Sequence, residues 1–316
     1  MAQPSNTYDT YDMVGIREDL SNIIYRISPE ETPMLTMAAR EKATARNFEW
    51  QIDALASAVA TNAVIEGDDA TTDAITATTR VGNYTQISDK VILLSGTAQV
   101  VNTAGRSKEM ALQISKRGKE LKLDIDTNIS QNRASVAGNS TTARESGSFE
   151  SWLTTNDDRG AGGSQGGASG SAVTAPTDGT QRAFTEAMMK TVLRLGYTSG
   201  AKLSNVLLGP WNKQIFSAFT GNATKQVMAD KETLFAAIDL YVSDYGRHAV
   251  RPSRNIRDRS ALFIDPDYLA VAYLRPFQTK ELAKTGDSDR FQLLAEYTLV
   301  VRNEAAHGIV ADLTTS

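Results

Sequence analysis

The stretch Ser107–Ala134, SKEMALQISKRGKELKLDIDTNISQNRA, decides how the rest of the chain is read. Met110, Ile114, Gly118, Leu121, Ile125 and Ile129 recur every three or four residues, while Lys108, Lys116, Lys119, Lys122 and Asp126 lie mainly off that stripe. That is the period of an α-helix with one apolar face. A helix of ~28 residues would be ~42 Å long. This is long for a globular domain of this size, and its single apolar face needs a cover.

Upstream, Phe48, Trp50 and Ile52 alternate with Glu49 and Gln51, which predicts a half-buried strand. The segment Asp53–Thr79 is mostly Ala, Thr, Val and Asn. It carries Asp53, Glu66, Asp68, Asp69 and Asp73 without one Lys or Arg. Strand-like runs follow at Arg80–Ser88 and Val91–Leu94, so the whole predicts a long projecting hairpin with its acidic tip at residues 67–69. A two-stranded ribbon is marginal alone in water and needs a surface to lie on. Ahead of it, Pro29 and Pro33 bracket a turn, with a short helix expected over Pro33–Ala43. Residues 1–30 carry Tyr8, Tyr11, Met13 and Val14, then Leu20, Ile23, Ile24 and Ile27, and form an arm. Taken alone, this segment favours a frayed terminus over an arm ordered against a neighbouring subunit.

Downstream, residues 138–179 shift to Ser, Thr, Gly and Asn, which predicts a flexible loop or insertion, with Phe149, Trp152 and Leu153 as an apolar tether. Phe184, Met188, Val192 and Leu195 form a helix face that stops at Gly196. Asn205–Leu208 is a short buried strand, and Pro210 opens a helix carrying Trp211, Ile215, Phe216 and Phe219. Further strands are expected at Ile238–Val242, Ala261–Ile264, Tyr268–Leu274 and Phe291–Val301, with His307–Leu313 closing the chain. Helices and strands are segregated, an α+β pattern rather than a doubly wound one.

The totals narrow the chemistry. With 316 residues, 41% hydrophobic and 22% charged, the chain can bury a core. It has no cysteine, which excludes disulfides and thiolate chemistry, and only two histidines, His248 and His307. No run of eighteen or more apolar residues is present, and the start has no signal-peptide pattern, so folding in the compartment of synthesis is expected. A net charge of −4 argues against a dedicated nucleic-acid binder. The Gly-rich run lacks the Gly-Lys-Ser/Thr ending of a phosphate loop, and neither a nucleophile elbow nor a His-Glu-x-x-His helix occurs. For both histidines a hydrogen-bonded structural role outweighs catalysis. No catalytic residue, cofactor or metal site is assigned, and the chain is expected not to be an enzyme. One basic cluster stands out: Arg247, His248, Arg251, Arg254, Arg257 and Arg259. A solvated face ranks first, a dock for the acidic hairpin of another copy second, and a DNA contact third.

The order of arm, long hairpin, long helix, compact α/β segment and closing hairpin resembles the major capsid proteins of tailed bacteriophages, the HK97-like fold. Ser28-Pro-Glu-Glu-Thr-Pro-Met34, Val206-Leu-Leu-Gly-Pro-Trp211, Ala272-Tyr-Leu-Arg-Pro-Phe277, Ala283-Lys-Thr-Gly-Asp-Ser288 and Glu296-Tyr-Thr-Leu-Val-Val-Arg-Asn303 carry the resemblance. It implies an N-terminal arm and short helix (1–46), an extended hairpin loop (47–95) that overlies a neighbouring subunit, and a peripheral domain with the spine helix (96–137 and 274–304). It also implies an axial domain (181–273 and 305–316); residues 138–180 depart from it as a Gly/Ser-rich insertion. It further implies self-assembly into hexamers and pentamers of an icosahedral head in the virion, assembled in the host bacterial cytoplasm and enclosing packaged double-stranded DNA contacted non-specifically. A portal protein and decoration proteins are implied partners, and no membrane is. Because the arm begins at Met1, a separate scaffolding protein is expected rather than a fused one. Candidate inter-subunit residues are Glu66, Asp68, Asp69, Asp73, Arg247, Arg251, Arg254, Arg257, Tyr8 and Tyr11. An encapsulin-like compartment shell is the first alternative and an unrecognised hydrolase the second.

Overall fold

The computed structural model describes residues 28, 31–70, 72–101, 108–219, 239–284 and 286–315. The N-terminal arm with Tyr8 and Tyr11, the first residue of the expected spine helix, Ser107, and the strand start at Ile238 lie outside the described residues. The order begins α1 (Pro33–Met37), β1 (Ala39–Lys42), β2 (Asn47–Ile52), β3 (Thr79–Tyr84), β4 (Gln86–Ser95), α2 (Gly96–Val100) and α3 (Glu109–Ser130). The insertion then contributes β5 (Asp157–Asp158), β6 (Gly167–Ser169) and β7 (Ala172–Thr174). The second half holds α4 (Glu186–Thr198), β8 (Asn205–Leu208), α5 (Pro210–Ser217), β9 (Leu240–Ser243), β10 (Gly246–Pro252) and β11 (Ala261–Ile264). Last come β12 (Leu269–Leu282), β13 (Ser288–Val301) and β14 (Gly308–Val310).

Two larger sheets organise these elements, ordered β1-β12-β13-β4 and β5-β14-β11-β8-β10-β9. In the six-stranded sheet both faces are covered. Val206, Leu208, Ala261, Phe263 and Val310 point to a core with Met189, Val192 and Phe216 of α4 and α5. The alternate residues Leu207, Leu262, Ile264 and Ile309 join a larger core with Leu121, Ile125 and Ile129 of α3. Burial on both faces explains why these strands are continuous apolar runs instead of alternating ones.

In the four-stranded sheet, β12 and β13 form a 14-residue hairpin pair. Its near half, from Leu269 to Ala272 and from Leu293 to Val301, is buried, and its far half is half-buried to exposed. The ladder slips at Tyr273/Arg275 and again before Gln278. Pro276 lies between these points, has no N–H to donate, and so is accommodated at a bulge.

Three expectations are corrected. The helix expected over Pro33–Ala43 ends at Met37, because Ala38 turns extended and Ala39–Lys42 pairs in parallel with Ala270–Tyr273. The spine helix spans 22 residues, about 33 Å at 1.5 Å per residue, and stops four residues before Ala134. There Gln131 is extended, and Ser130 Oγ lies 3.0 Å from the Asn255 carbonyl, to which Gln131 Nε2 also donates. The Gly/Ser-rich insertion is a packed element instead of a flexible loop. Phe149, Trp152, Leu153 and Val173 are each at most 3% exposed. Its glycines serve close packing: a Cβ on Gly160 would sit 2.1 Å from the Thr180 carbonyl oxygen. Composition reported small residues, and small residues permit tight contact as readily as mobility.

Candidate assembly surfaces

The projecting element is a short ribbon carrying a long loop. Strands β2 and β3 pair from Asn47↔Tyr84 to Ile52↔Thr79, and no strand is assigned among the described residues of 53–78. The long ladder expected from sequence is therefore confined to the base, since the Ala/Thr-rich loop offers few cross-strand partners beyond Ile52. A turn at residues 65–68 closes with the Asp68 N–H donating to the Ile65 carbonyl at 3.2 Å, near the expected tip. Glu66, Asp68, Asp69 and Asp73 are all exposed. So are Leu55 (100%), Val64 (87%) and Ile75 (98%). Each such side chain would gain about 1.5–3 kcal/mol on full burial, so the loop is suited to a surface that the described residues of its own subunit do not supply.

The mount of this loop is rigid. Asn83 is fully buried and donates to the carbonyls of Gly147 (3.0 Å) and Leu299 (2.9 Å) while accepting from the Gly147 N–H (2.8 Å). Thr85, where the chain passes from ribbon to sheet, donates its N–H to the Arg46 carbonyl, and its hydroxyl lies 3.0 Å from Glu296 Oε1. Glu296 is buried yet fully engaged: Arg144 donates to Oε1 at 2.5 Å and Arg275, at the β12 bulge, to Oε2 at 2.7 Å. Strand β4, grouped by sequence with the hairpin, pairs instead with β13 as an edge of the four-stranded sheet, leaving Ile87, Val91 and Leu93 about half exposed on one face.

The basic cluster divides into two populations. Arg247, Arg251 and Arg254 are exposed, the first two on β10, a strand that the run of arginines concealed. Arg257 turns inward, donating to Glu150 Oε2 at 2.9 Å and Asp178 Oδ2 at 2.5 Å. Burial pushes the Glu150 carboxyl up, and the Arg257 guanidinium opposes that rise. Arg259 reaches Asp312 Oδ1 and the Gly179 carbonyl. Arg257 and Arg259 thus hold the insertion to the body. The missed signal was their acidic complement: Glu150 and Asp178 lie inside the insertion, and Asp312 beyond the last strand.

Neither histidine has the setting of a catalytic base. His248 is buried between the Leu203 carbonyl and the Ser243 hydroxyl. His307 is fully buried against Phe149, accepts the Asp265 N–H at Nδ1, and is held down to about 4 by burial. A depression of about 470 Å³ beside β9 is lined by Glu186, Lys190 and Tyr241. These pair among themselves, Tyr241 donating to Glu186 and Lys190 bridging to it at 2.9 Å. Among the described residues no group of three or more His, Asp or Glu could hold a metal ion, and no helix is long and apolar enough to cross a membrane.

A family model described as SU10 major capsid protein matches residues 3–314. The major capsid protein of Escherichia phage Phieco32 is 27% identical, covering 98% of this chain and 97% of that protein. Among solved structures, the capsid asymmetric unit of cyanophage A-1(L) superposes with a TM-score of 0.64 at 13% identity, over 98% of this chain and 99% of that one. The capsid of a native GTA particle gives 0.63 at 12% identity over 96% and 98%, and Gordonia phage Cozz 0.60 at 11% over 99% and 98%. The fold is HK97-like.

Proposed function

The chain belongs to the SU10 major capsid protein family, and from that premise we propose how this major capsid protein of a tailed phage contributes to its shell. Copies associate as hexamers and pentamers of an icosahedral head, and the loop of residues 53–78 lies over a neighbouring subunit. The observation that carries this reading is that loop: five acidic residues, no basic one, and fully exposed aliphatics on a rigidly mounted ribbon. Alone it is an unfavourable design; against another chain it buries apolar surface and steers by charge.

Exposed Arg247, Arg251 and Arg254 are the candidate acceptors for the acids of the loop, and Tyr8 and Tyr11 are candidate arm contacts. Arg257 leaves that set, because its charge is satisfied within the subunit. The role is structural and not enzymatic. The net charge of −4 suits a wall that encloses double-stranded DNA without gripping it. A separate scaffolding protein, a portal and decoration proteins complete the proposed head, made in the bacterial cytoplasm. Negative-stain microscopy of the purified or scaffold-co-expressed protein should show shells, capsomers or tubes. A strictly monomeric species under all such conditions would refute the reading.

A further inference from the structure

The insertion ends where the ribbon begins. At the tip of the β6–β7 hairpin, the Gly170 carbonyl accepts the Gly82 N–H of β3 at 2.8 Å. Ser171 donates its hydroxyl to Glu49 Oε1 at 2.7 Å, and Asn47 Nδ2 donates to Ser171 Oγ at 2.7 Å. The hydrogen bond from Ser171, with Arg80 nearby, holds the Glu49 carboxyl below its ordinary value. A side chain on Gly82 would come within 2.7 Å of Glu49 Cγ, so glycine leaves the Glu49 side chain room to lie across β3 where Ser171 meets it. Lower down, Trp152 of the insertion stacks on Trp50 of β2 with ring centroids 5.2 Å apart.

The other side of the same hairpin is fixed to the body. The Val173 N–H donates to Ser135 Oγ at 2.7 Å, and the Ser135 N–H donates back to the Val173 carbonyl at 2.9 Å. Val173 itself is 2% exposed and packs on Gly147. Ser135 follows the exit of α3, so the hairpin spans from the end of the spine helix to the flank of the ribbon.

We propose that the insertion is a buttress whose β6–β7 tip sets the direction in which the β2–β3 ribbon leaves the body, with Ser171 and Glu49 as its positioning residues. A two-stranded ribbon is too weak to hold its own direction, and hydrogen bonds on one flank with an aromatic stack beneath remove that freedom. The consequence for a shell rests on the function proposed above, since direction determines which neighbour the loop reaches. The geometry within one subunit does not depend on it.

The absence of cysteine allows two labels to be placed without background. Spin labels at Thr79→Cys, exposed at the outer end of the ladder, and Lys202→Cys, exposed on the body, report ribbon direction by pulsed dipolar spectroscopy. Labelled full-length copies are diluted with unlabelled ones, so the distance is intramolecular in any assembly state. In the parent a single narrow distance is expected. Ser171→Asp sets a second carboxylate against Glu49 at a partly exposed site and should abolish the single distance; adding Glu49→Gln should restore it, with thermal melting unchanged throughout. A single distance retained in S171D, or lost and not regained in S171D/E49Q, overturns the buttress. Altered distances with normal shells would leave the buttress standing and count against the loop as the inter-subunit contact.

Discussion

Arg257→Ala separates a structural arginine from a solvated or docking one. The Arg257 side chain is 16% exposed and its partner Glu150 is 1% exposed, with their charged atoms 2.9 Å apart. Truncating one member of such a pair leaves the other charge buried without compensation, at a cost of about 3–5 kcal/mol. Residual solvent access at Arg257 places this variant near the lower end, roughly 3 kcal/mol. At about 2–4 °C per kcal/mol, the melting midpoint should fall on the order of 6–12 °C. Arg251→Ala, at an exposed position of β10, should stay within about 0.5 kcal/mol of the parent. Replacing both partners, as in E150L/R257M, should recover most of the loss, because the orphaned carboxylate is gone. Thermal and urea unfolding of the purified chain measures all three. If R257A melts with the parent while its assembly fails, the guanidinium serves an interface and the internal assignment is wrong.

Other perturbations address the remaining features. Asp68→Lys with Asp69→Lys should reduce shells seen by microscopy without moving the melting midpoint, since both residues are exposed; normal heads would remove the acids from the interface. His307 sits at about 4 against an unfolded value of about 6.5, so the unfolded chain binds the proton first as pH falls. Its contribution is complete above pH 6.5 and is lost on acidification toward pH 4, roughly 3 kcal/mol in all. The difference in pH slope between the parent and His307→Asn isolates it from Asp126 and Glu150, whose burial-raised carboxyls are common to both proteins. Gly160→Ala should destabilise by about 1–3 kcal/mol, because its methyl group would meet the backbone at Thr180; an unchanged unfolding midpoint would show that the insertion yields there.

Much of the architecture was legible because periodicity reports burial. The stripe through Met110, Ile114, Leu121, Ile125 and Ile129 lies on the core side of α3, and the apolar runs at Asn205–Leu208 and Ala261–Ile264 are strands with those bounds. What was not legible depends on partners distant in sequence. Asp126 lies off the apolar stripe with the lysines of the helix, yet it is buried, accepting the Leu35 N–H at 2.7 Å and the Asn255 amide at 2.7 Å. Arg257 and Arg259 resembled their exposed neighbours until Glu150, Asp178 and Asp312 were brought beside them. The insertion was judged by its glycines, whose role shows only when the opposing backbone is in place. A lone charge inside an apolar run, such as Glu296 between Ala295 and Tyr297, was the available clue to a buried pair.

The anchorage of the ribbon also has a mechanical meaning. Under the proposed contact, a neighbour pulling on the loop tip would draw both strands together, so the β2–β3 ladder would not be peeled apart rung by rung. The load would pass along the strands to Asn83 and Thr85, where the hydrogen bonds of Asn83 to Gly147 and Leu299 and of the Thr85 hydroxyl to Glu296 resist as a group. From there it would enter Glu296 and its two arginines, in the middle of the long hairpin. Tension between subunits would thereby be delivered to the centre of the fold, and the loop, with no strand among the described residues of 53–78, would straighten before the body yields.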